Sequence, residues 1–281
     1  MRQQGAFSFD HGAQYATARD PGFVATMQAM AAAGDAAPWP AAGDGCWSGV
    51  GSMFAMVGHM ERAGVGTVLN HRHVTYLRQD AEGWMVRHRD AADAPPGLVS
   101  DSGGECAGPF DRVAVALPSP QAAGLLQPHR FAAEAARAVM APCWALMLAF
   151  PGASGAPVVL RPEAGPLGWI ARDSSRPGRV AVPECWVAHA TADWSRAHLE
   201  QPAPAVLAAL HAAFVTATGV AAAPSHSAVH RWRYARTETP LGAAALWDAA
   251  AGLGVCGDWC LGARVEAAFL SGRALAGMMA G

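Results

Sequence analysis

The chain has 281 residues, 52% of them hydrophobic, which suffices to bury the core of one large domain or two modest ones. Its formal charge of −2 and lack of any basic run leave no electrostatic footprint for nucleic acid. No stretch approaches the ~18 uninterrupted apolar residues of a membrane span and no signal-peptide pattern opens the sequence, so a cytoplasmic protein is expected.

In chain order, Asp20-Pro21 followed by FVATMQAMAAAG predicts a helix with Asp20 as N-cap, Pro21 in its first turn and Gly34 past its end. A Pro/Gly-rich loop leads to Cys46-Trp47. Ser52 can cap a second helix over 53–63, whose Met53, Met56, Val57 and Met60 recur at helical spacing as core residues before Gly64. Short strands are expected at 65–69, 73–78 and 83–88, then an exposed loop over 90–109. Residues 110–118, FDRVAVALP, read as the clearest buried strand, followed by helices at 119–126 and 128–140. Strands at 143–150, 166–173 and 184–190, separated by turn signals, suggest an antiparallel sheet. An Ala-rich helix over 204–218 ends at Gly219, and 229–236 reads as one more strand.

All 20 basic residues are arginine. The Ala, Gly, Pro and Arg richness suggests high-GC coding, but the exclusion holds whatever its cause: neither a pyridoxal Schiff base nor a phosphate-loop lysine is possible. Cysteines at 46, 106, 143, 185, 256 and 260 lack zinc-ligand spacing and read as reduced thiols, with Cys143, Cys185 and Cys256 acting as small core residues. His71-x-His73 on one strand face, or His226 with His230, could suggest a metal, but no carboxylates cluster with them and no His-Glu-x-x-His occurs, so surface histidines are the better reading. No Gly-x-Ser-x-Gly elbow supports a serine hydrolase.

A literal G-x-G-x-x-G occurs at Gly252, Gly254 and Gly257, yet these glycines precede and occupy a strand over 253–256, while the next helix starts only near Arg264. The motif binds pyrophosphate only as the turn between strand and helix, so the match is rejected. Gly43-x-Gly45, Gly49-x-Gly51 and Gly64-x-Gly66 lack the third glycine and follow no convincing strand. What this C-terminal segment can offer is Asp258, a carboxylate delivered to the rim of a sheet, and helix amides around Arg264 to Ala267 beyond it. Val265, Ala268, Phe269 and Gly272 are expected to face inward. A plain helix covering a sheet is the competing reading.

The segment GLGVCGDWCLGARVEAAFLSGRALA resembles the C-terminal flavin-binding signature of the renalase-like branch of flavin-dependent amine oxidase relatives. FDHGAQYATARDP (9–21) resembles the part that family places beside the flavin ring. The likeness continues collinearly through WSGVGSM, FDRVAVALPSPQAAGLL, APCWALMLAF, LGWIARDSSRPGR, ECWVAHATADWSRAHLE and HRWRYA. It implies an α/β (α+β) fold: an incomplete Rossmann-like FAD-binding domain over 1–20, 44–126 and 245–281, with an antiparallel-sheet substrate domain over 21–43 and 127–244. Relatives open with a strand, a Gly-rich turn and a helix. Only eight residues precede Phe9 here, so that unit of at least ~30 residues is expected to be missing, and with it half of the pyrophosphate cradle.

The resemblance further implies FAD contacts at Val74, Ala116, Pro118, Gly257, Asp258, Arg264, Val265 and Glu266. It implies hydride transfer from a dihydronicotinamide, an isomeric form of NAD(P)H, to flavin, with dioxygen as acceptor. Such chemistry needs a positioned ring and a dry pocket more than an acid or base. Trp169, Trp186, Trp232, Tyr15 and Tyr234 could supply stacking surfaces, and Arg172 or Arg231 could meet phosphates, although most tryptophans serve packing. His11 and Gln14 stand out as polar side chains in a small-residue context, while Asp10 reads equally as a turn cap. Relatives that oxidise amines place a lysine near the flavin, which this chain cannot. The alternative is a cofactor-free remnant or binding protein.

Overall fold

The computed structural model describes residues 2–4, 7–64, 66–94 and 99–281. The elements run β1 (Arg2–Gln4), β2 (Phe7–Phe9), β3 (Ala16–Thr17), α1 (Pro21–Ala32), β4 (Ala36–Pro38), β5 (Cys46–Gly49) and α2 (Phe54–Ala63). Next come β6 (Arg72–Gln79), β7 (Trp84–Asp90), β8 (Glu105–Phe110), β9 (Val113–Val115), α3 (Ser119–Leu125) and α4 (Phe131–Ala135). Then follow β10 (Val139–Phe150), β11 (Val159–Leu160), β12 (Leu167–Arg172), β13 (Glu184–Ala190), α5 (Ala192–Ala197) and α6 (Ala203–Thr218). The chain closes with β14 (His226–Thr239), β15 (Leu246–Asp248), β16 (Leu253–Val255), α7 (Asp258–Leu261) and α8 (Val265–Ala280).

Two compact units result: Met1–Gly64 with Ala141–Arg236, and Val65–Met140 with Thr237–Gly281. This division differs from the expected flavin and substrate parts. Residues 1–20 and 44–64 cluster with 141–236, because Phe9 shares a core with Met147 and Val187, and Cys46 one with Ala171.

The first unit is built on a five-stranded sheet in the order β11-β12-β13-β10-β14. β10 is buried on both faces, which is why it reads as an unbroken apolar run. Trp144, Leu146, Leu148 and Phe150 pack with Trp186 against Val206, Leu210 and Phe214 of α6, while Met147 and Ala149 pack against Phe9 on the opposite side. The expected caps are present: Asp20 accepts from the Gly22 and Phe23 amides, and Gly219 ends α6 at φ 72°.

In the second unit β9 and β16 run parallel, with Val113 opposite Leu253 and Val115 opposite Val255, and β15 pairs antiparallel on the other side of β16. Trp84, Val115, Leu125, Phe131, Leu253, Val255 and Trp259 share its core. A Cβ on Gly254 would lie 2.5 Å from Leu275, so the missing side chain lets α8 close onto β16.

Several expectations are corrected. Val65 lies outside the described residues, and 66–69 form no strand, with Val68 and Leu69 exposed. Within the expected loop, 95–98 also lie outside the described residues, but Glu105–Phe110 is a strand paired with β7. Its Gly108-Pro109 step disguised it, since both residues are poor strand formers. The strand expected at 110–118 spans only Val113–Val115 and only Val115 is buried. The helix expected at 128–140 stops at Ala135, and β10 begins at Val139. The presumed loop before Cys46 contains β4, and Cys46–Gly49 is β5. On α2 only Met56 is buried; Val57 and Met60 are exposed. The inward face of α8 is Ala267, Ser271 and Leu275 with Glu266, whereas Ala268 is exposed. His71 sits at φ 58° in the turn before β6, so it does not share a strand face with His73.

Gly219 and Gly252 both have left-handed backbone, at φ 72° and 63°, but differ in surroundings. A Cβ on Gly219 meets nothing within 4 Å, whereas one on Gly252 lies 2.4 Å from the Asp111 carbonyl oxygen. Gly219→Ala is expected to lose about 1 kcal/mol and Gly252→Ala about 3 kcal/mol in urea unfolding. Equal losses would contradict the close approach at Gly252.

Candidate functional site

In the second unit, the carboxyl ends of parallel β9 and β16 lie side by side, joined by a 3.1 Å hydrogen bond from the Cys256 amide to the Val115 carbonyl. Ala116 and Pro118 leave one strand there, and Gly257 and Asp258 leave the other. Such an edge is where open α/β sheets take ligands. Ala116 is exposed, Pro118 is half-buried, and Val74 is half-buried against the core that contains Val115 and Val255.

Gly257 admits the Trp259 indole, whose Nε1 would lie 2.5 Å from an added Cβ and which donates 2.9 Å to the Leu117 carbonyl. The half-buried Asp258 opens α7, a short turn absent from the sequence expectation, and accepts 3.1 Å from the Thr237 hydroxyl. Burial raises its pKa against the opposing hydrogen bonds of Thr237 and the Trp259 amide. Ser271 of α8 accepts from the Gly257 amide at 3.0 Å, while Leu275 packs at Gly254. The helix therefore runs antiparallel to β16, and its first turn lies about 9 Å beyond Ser271, past the strand's carboxyl end. That turn holds half-buried Val265 and buried Glu266, the latter 3.2 Å from exposed Arg264.

In the first unit, ring N–H groups from three strands hold residues 10–15. His189 and Trp232 each donate to the His11 carbonyl at 3.0 Å, and Trp169, opposite His189 in the sheet, donates to Gln14 Oε1 at 3.4 Å. A carbonyl only accepts, so His189 carries its proton on Nε2. Burial drives its pKa down to about 4, with the Arg176 charge adding to the shift and the hydrogen bond to His11 opposing it. The His11 ring is edge-on to His230 at 4.7 Å and 5.2 Å from Trp232; Tyr15 lies 5.4 Å from Trp169. His11, Gln14, Tyr15, Trp169 and Trp232 are thus brought together. His226 instead stacks on Phe7 and Phe9.

Gln14 is fully committed: its amide nitrogen donates to the Asp10 and Gly12 carbonyls, and its oxygen accepts from Arg176 at 2.6 Å as well as from Trp169. Its role is to position the segment. Arg172 pairs with buried Glu184 at 3.1 Å and lies over the Trp186 ring, so its charge is spent within the fold. Burial works against the Glu184 carboxylate, yet hydrogen bonds from Ser154 and Trp186 and the Arg172 charge outweigh it and lower its pKa. Arg231 reaches Glu200 and the Leu199 carbonyl, both at 2.8 Å.

Beneath this segment lies a buried ion cluster that sequence reasoning did not single out. Arg179 contacts Asp10 at 2.6 Å and Asp173 at 2.8 Å; Arg176 contacts Asp173 at 2.8 Å and Asp10 at 3.5 Å. The Asp10 amide donates to Asp173 at 3.1 Å, and the Met53 amide donates to Asp10 at 2.8 Å. Burial raises the Asp173 pKa despite both guanidiniums, and lowers that of Arg176. Its signal was Asp173, Arg176 and Arg179 spaced by three in a Pro/Gly turn of a chain with only 15% charged residues. Gly49-x-Gly51, contrary to expectation, does link a strand to a helix. The α2 mouth is nonetheless occupied, since Asp10 takes the Met53 amide and Ser52 the Phe54 amide.

The His189 shift has a definite linkage sign. The unfolded chain takes up a proton near pH 6.5 and the folded one only near 4, so stability present above 6.5 falls as pH drops through that window, by on the order of 3 kcal/mol. His189→Gln retains an N–H donor and is expected to flatten this part of the stability profile in urea titrations. An unchanged slope would contradict a neutral, buried His189.

No protein-family model matches the chain. A solved structure provisionally assigned as a protoporphyrinogen oxidase, from Exiguobacterium sp. 255-15, shares the fold at a TM-score of 0.61 and 12% identity, over 84% of this chain and 53% of that one. A triple mutant of putrescine oxidase redesigned in cofactor binding matches at a TM-score of 0.52 and 14% identity, over 84% of this chain and 54% of its own. The chain spans about half the length of these structures, and at such identities the likeness establishes an α+β fold held in common. Among the described residues no helix is long and apolar enough to cross a membrane.

Proposed function

We propose that the chain is part of a flavin-dependent oxidoreductase of renalase type, acting on an isomeric dihydronicotinamide nucleotide with dioxygen as final acceptor. The observation that carries this reading is Asp258: a half-buried carboxylate at the carboxyl edge of two parallel strands, with the mouth of α8 past the same edge. It is supported by a fold shared with two oxidases. Bound FAD supplies the sink for the hydride and the route to dioxygen. Asp258 would accept hydrogen bonds from its ribityl hydroxyls, and the residues around Ala116, Pro118, Gly257 and Arg264 to Glu266 would flank it.

The remaining work for this chain's residues is to bind and orient. Hydride transfer depends on ring placement and exclusion of water, and the cluster of His11, Tyr15, Trp169 and Trp232 offers aromatic surface. The absence of lysine argues against ordinary amine oxidation.

A cofactor-free binding protein is the second reading, and one observation favours it. Among the described residues the literal glycine motif is closed to a pyrophosphate: Gly252 abuts Asp111, Gly254 abuts Leu275 and the Gly257 amide is bonded to Ser271, while the α2 mouth holds Asp10. The two readings separate on titrating FAD into the purified chain and following flavin fluorescence. Weak saturable binding is expected, reduced about tenfold in Asp258→Asn through loss of a charge-assisted hydrogen bond. Absence of any binding, or binding unaffected by that substitution, would contradict the proposed role of Asp258. The same variant is expected to stabilise the flavin-free chain at pH 7. A carboxyl pKa raised by folding penalises the ionised form above that pKa, and the penalty vanishes as pH falls through it.

A further inference from the structure

In the second unit the sheet order ends at β9, with no strand on its outer side among the described residues. Its pairing with β16 fixes which backbone groups face outward. The Val113 amide donates to the Gly252 carbonyl at 2.9 Å, and the Val115 carbonyl accepts from the Cys256 amide at 3.1 Å. Parallel ladders use alternate residues, so Ala114 turns both its N–H and its C=O away from β16, in line with those of Arg112 and Ala116. Ala114 and Ala116 are exposed. On the face that Ala114 shares with its register partner Gly254, Leu275 covers the glycine and leaves the alanine bare.

Sense, bulk and charge define what fits this edge. Mixed sheets commonly carry an antiparallel strand at one edge of a parallel block, and β15 already fills that place beyond β16, so the parallel block extends on the β9 side. Ala114 and Ala116 present neither the charge nor the bulk that guards a free edge. At the foot of β9 an open hollow of about 540 Å³ is lined by Pro109, Phe110, Asp111 and Arg112. Asp111 is exposed and forms no ion pair among the described residues. Arg112 is turned elsewhere: its guanidinium donates to the Met279 carbonyl and lies 5.9 Å from the Trp247 ring centroid. We propose that β9 is a docking edge for a partner polypeptide, an extended segment that adds as a parallel strand with a lysine or arginine at its amino end, seated on Phe110 and Asp111. Main-chain hydrogen bonds supply the affinity and the cation fixes the sense. The inference rests on strand pairing and is independent of any flavin.

Amide hydrogen exchange of the full chain tests this, alone and with two acetylated, amidated peptides at millimolar concentration, Lys-Val-Thr-Val-Thr-Val and its reversal Val-Thr-Val-Thr-Val-Lys. In the free chain the Ala114 and Ala116 amides are expected to exchange at least about tenfold faster than those of Val113 and Cys256. The first peptide is expected to slow Ala114 and Ala116 about tenfold, and the reversed peptide far less. Asp111→Asn is expected to erase the difference between the peptides. Ala114→Pro removes only an outward N–H, so it is expected to abolish protection at Ala116 with the melting temperature unchanged. Slow exchange at Ala114 in the free chain, protection by neither peptide, or equal protection by both overturns the proposal. So does a peptide-free dimer that dissociates in Ala114→Pro, since the edge would then belong to a second copy. Should Ala114→Pro fail to fold, the comparison of the two peptides on the wild type and on Asp111→Asn still decides.

Discussion

Four buried charges organise the first unit. Asp10 and Asp173 each contact both Arg176 and Arg179, so the cluster is neutral, and none of the four side chains is more than 7% exposed. Buried ions are tolerated only when paired and hydrogen-bonded, and removal of one partner from such a set typically costs about 3–5 kcal/mol. Backbone contributes as well as side chains, since the carboxylates also take the amides of Asp10 and Met53, while Asp173 Oδ1, Arg176 Nε and Nη1 and Arg179 Nε are held by charge contact without a hydrogen bond. The cluster thereby ties the strand end after β2, the turn after β12 and the first turn of α2 into one arrangement. Gln14 extends it, linking Arg176 to the Trp169 indole. The rings of His11, Tyr15, Trp169 and Trp232 hold their places because the backbone beneath them is held by charge.

The second unit relies on the opposite device, the absence of side chains. Gly254 lets Leu275 of α8 settle on β16, and Gly257 makes room for Trp259. Close packing of helix on strand sets where Ser271 meets the Gly257 amide, and hence where the first turn of α8 lies relative to the strand's end. Asp258 emerges at that point with the Thr237 hydroxyl donating to it, half in solvent and at an elevated pKa caused by burial. A carboxylate so placed is costly for folding.

Much of this was legible in the residues. β10, β12, β13, α1 and α6 were readable because apolar runs, caps and a left-handed glycine each carry a local signal. Asp258 was readable because an apolar strand visibly ends in Gly-Asp. The misreadings share a cause: their deciding partners lie far away in the chain. Nothing near β8 marks it as a strand, since only pairing with β7 makes Glu105–Phe110 one. In α8 the alanines make every face look inward, and only Leu275 against Gly254 sets the phase. Arg172 could not be separated from a phosphate ligand without Glu184 beside it. Asp10 looked like a turn cap because its two arginines lie more than 160 positions on.

Amide hydrogen exchange in the wild-type chain and in Arg179→Gln tests the role of the ion cluster most directly. If charge pairing holds the 10–15 segment, the Asp10 and Met53 amides exchange slowly in the wild type and at least about a hundredfold faster in the variant, while amides of β10 and β13 keep their protection. Unchanged protection at Asp10 and Met53 would mean that packing alone holds the segment, and the electrostatic account would be wrong.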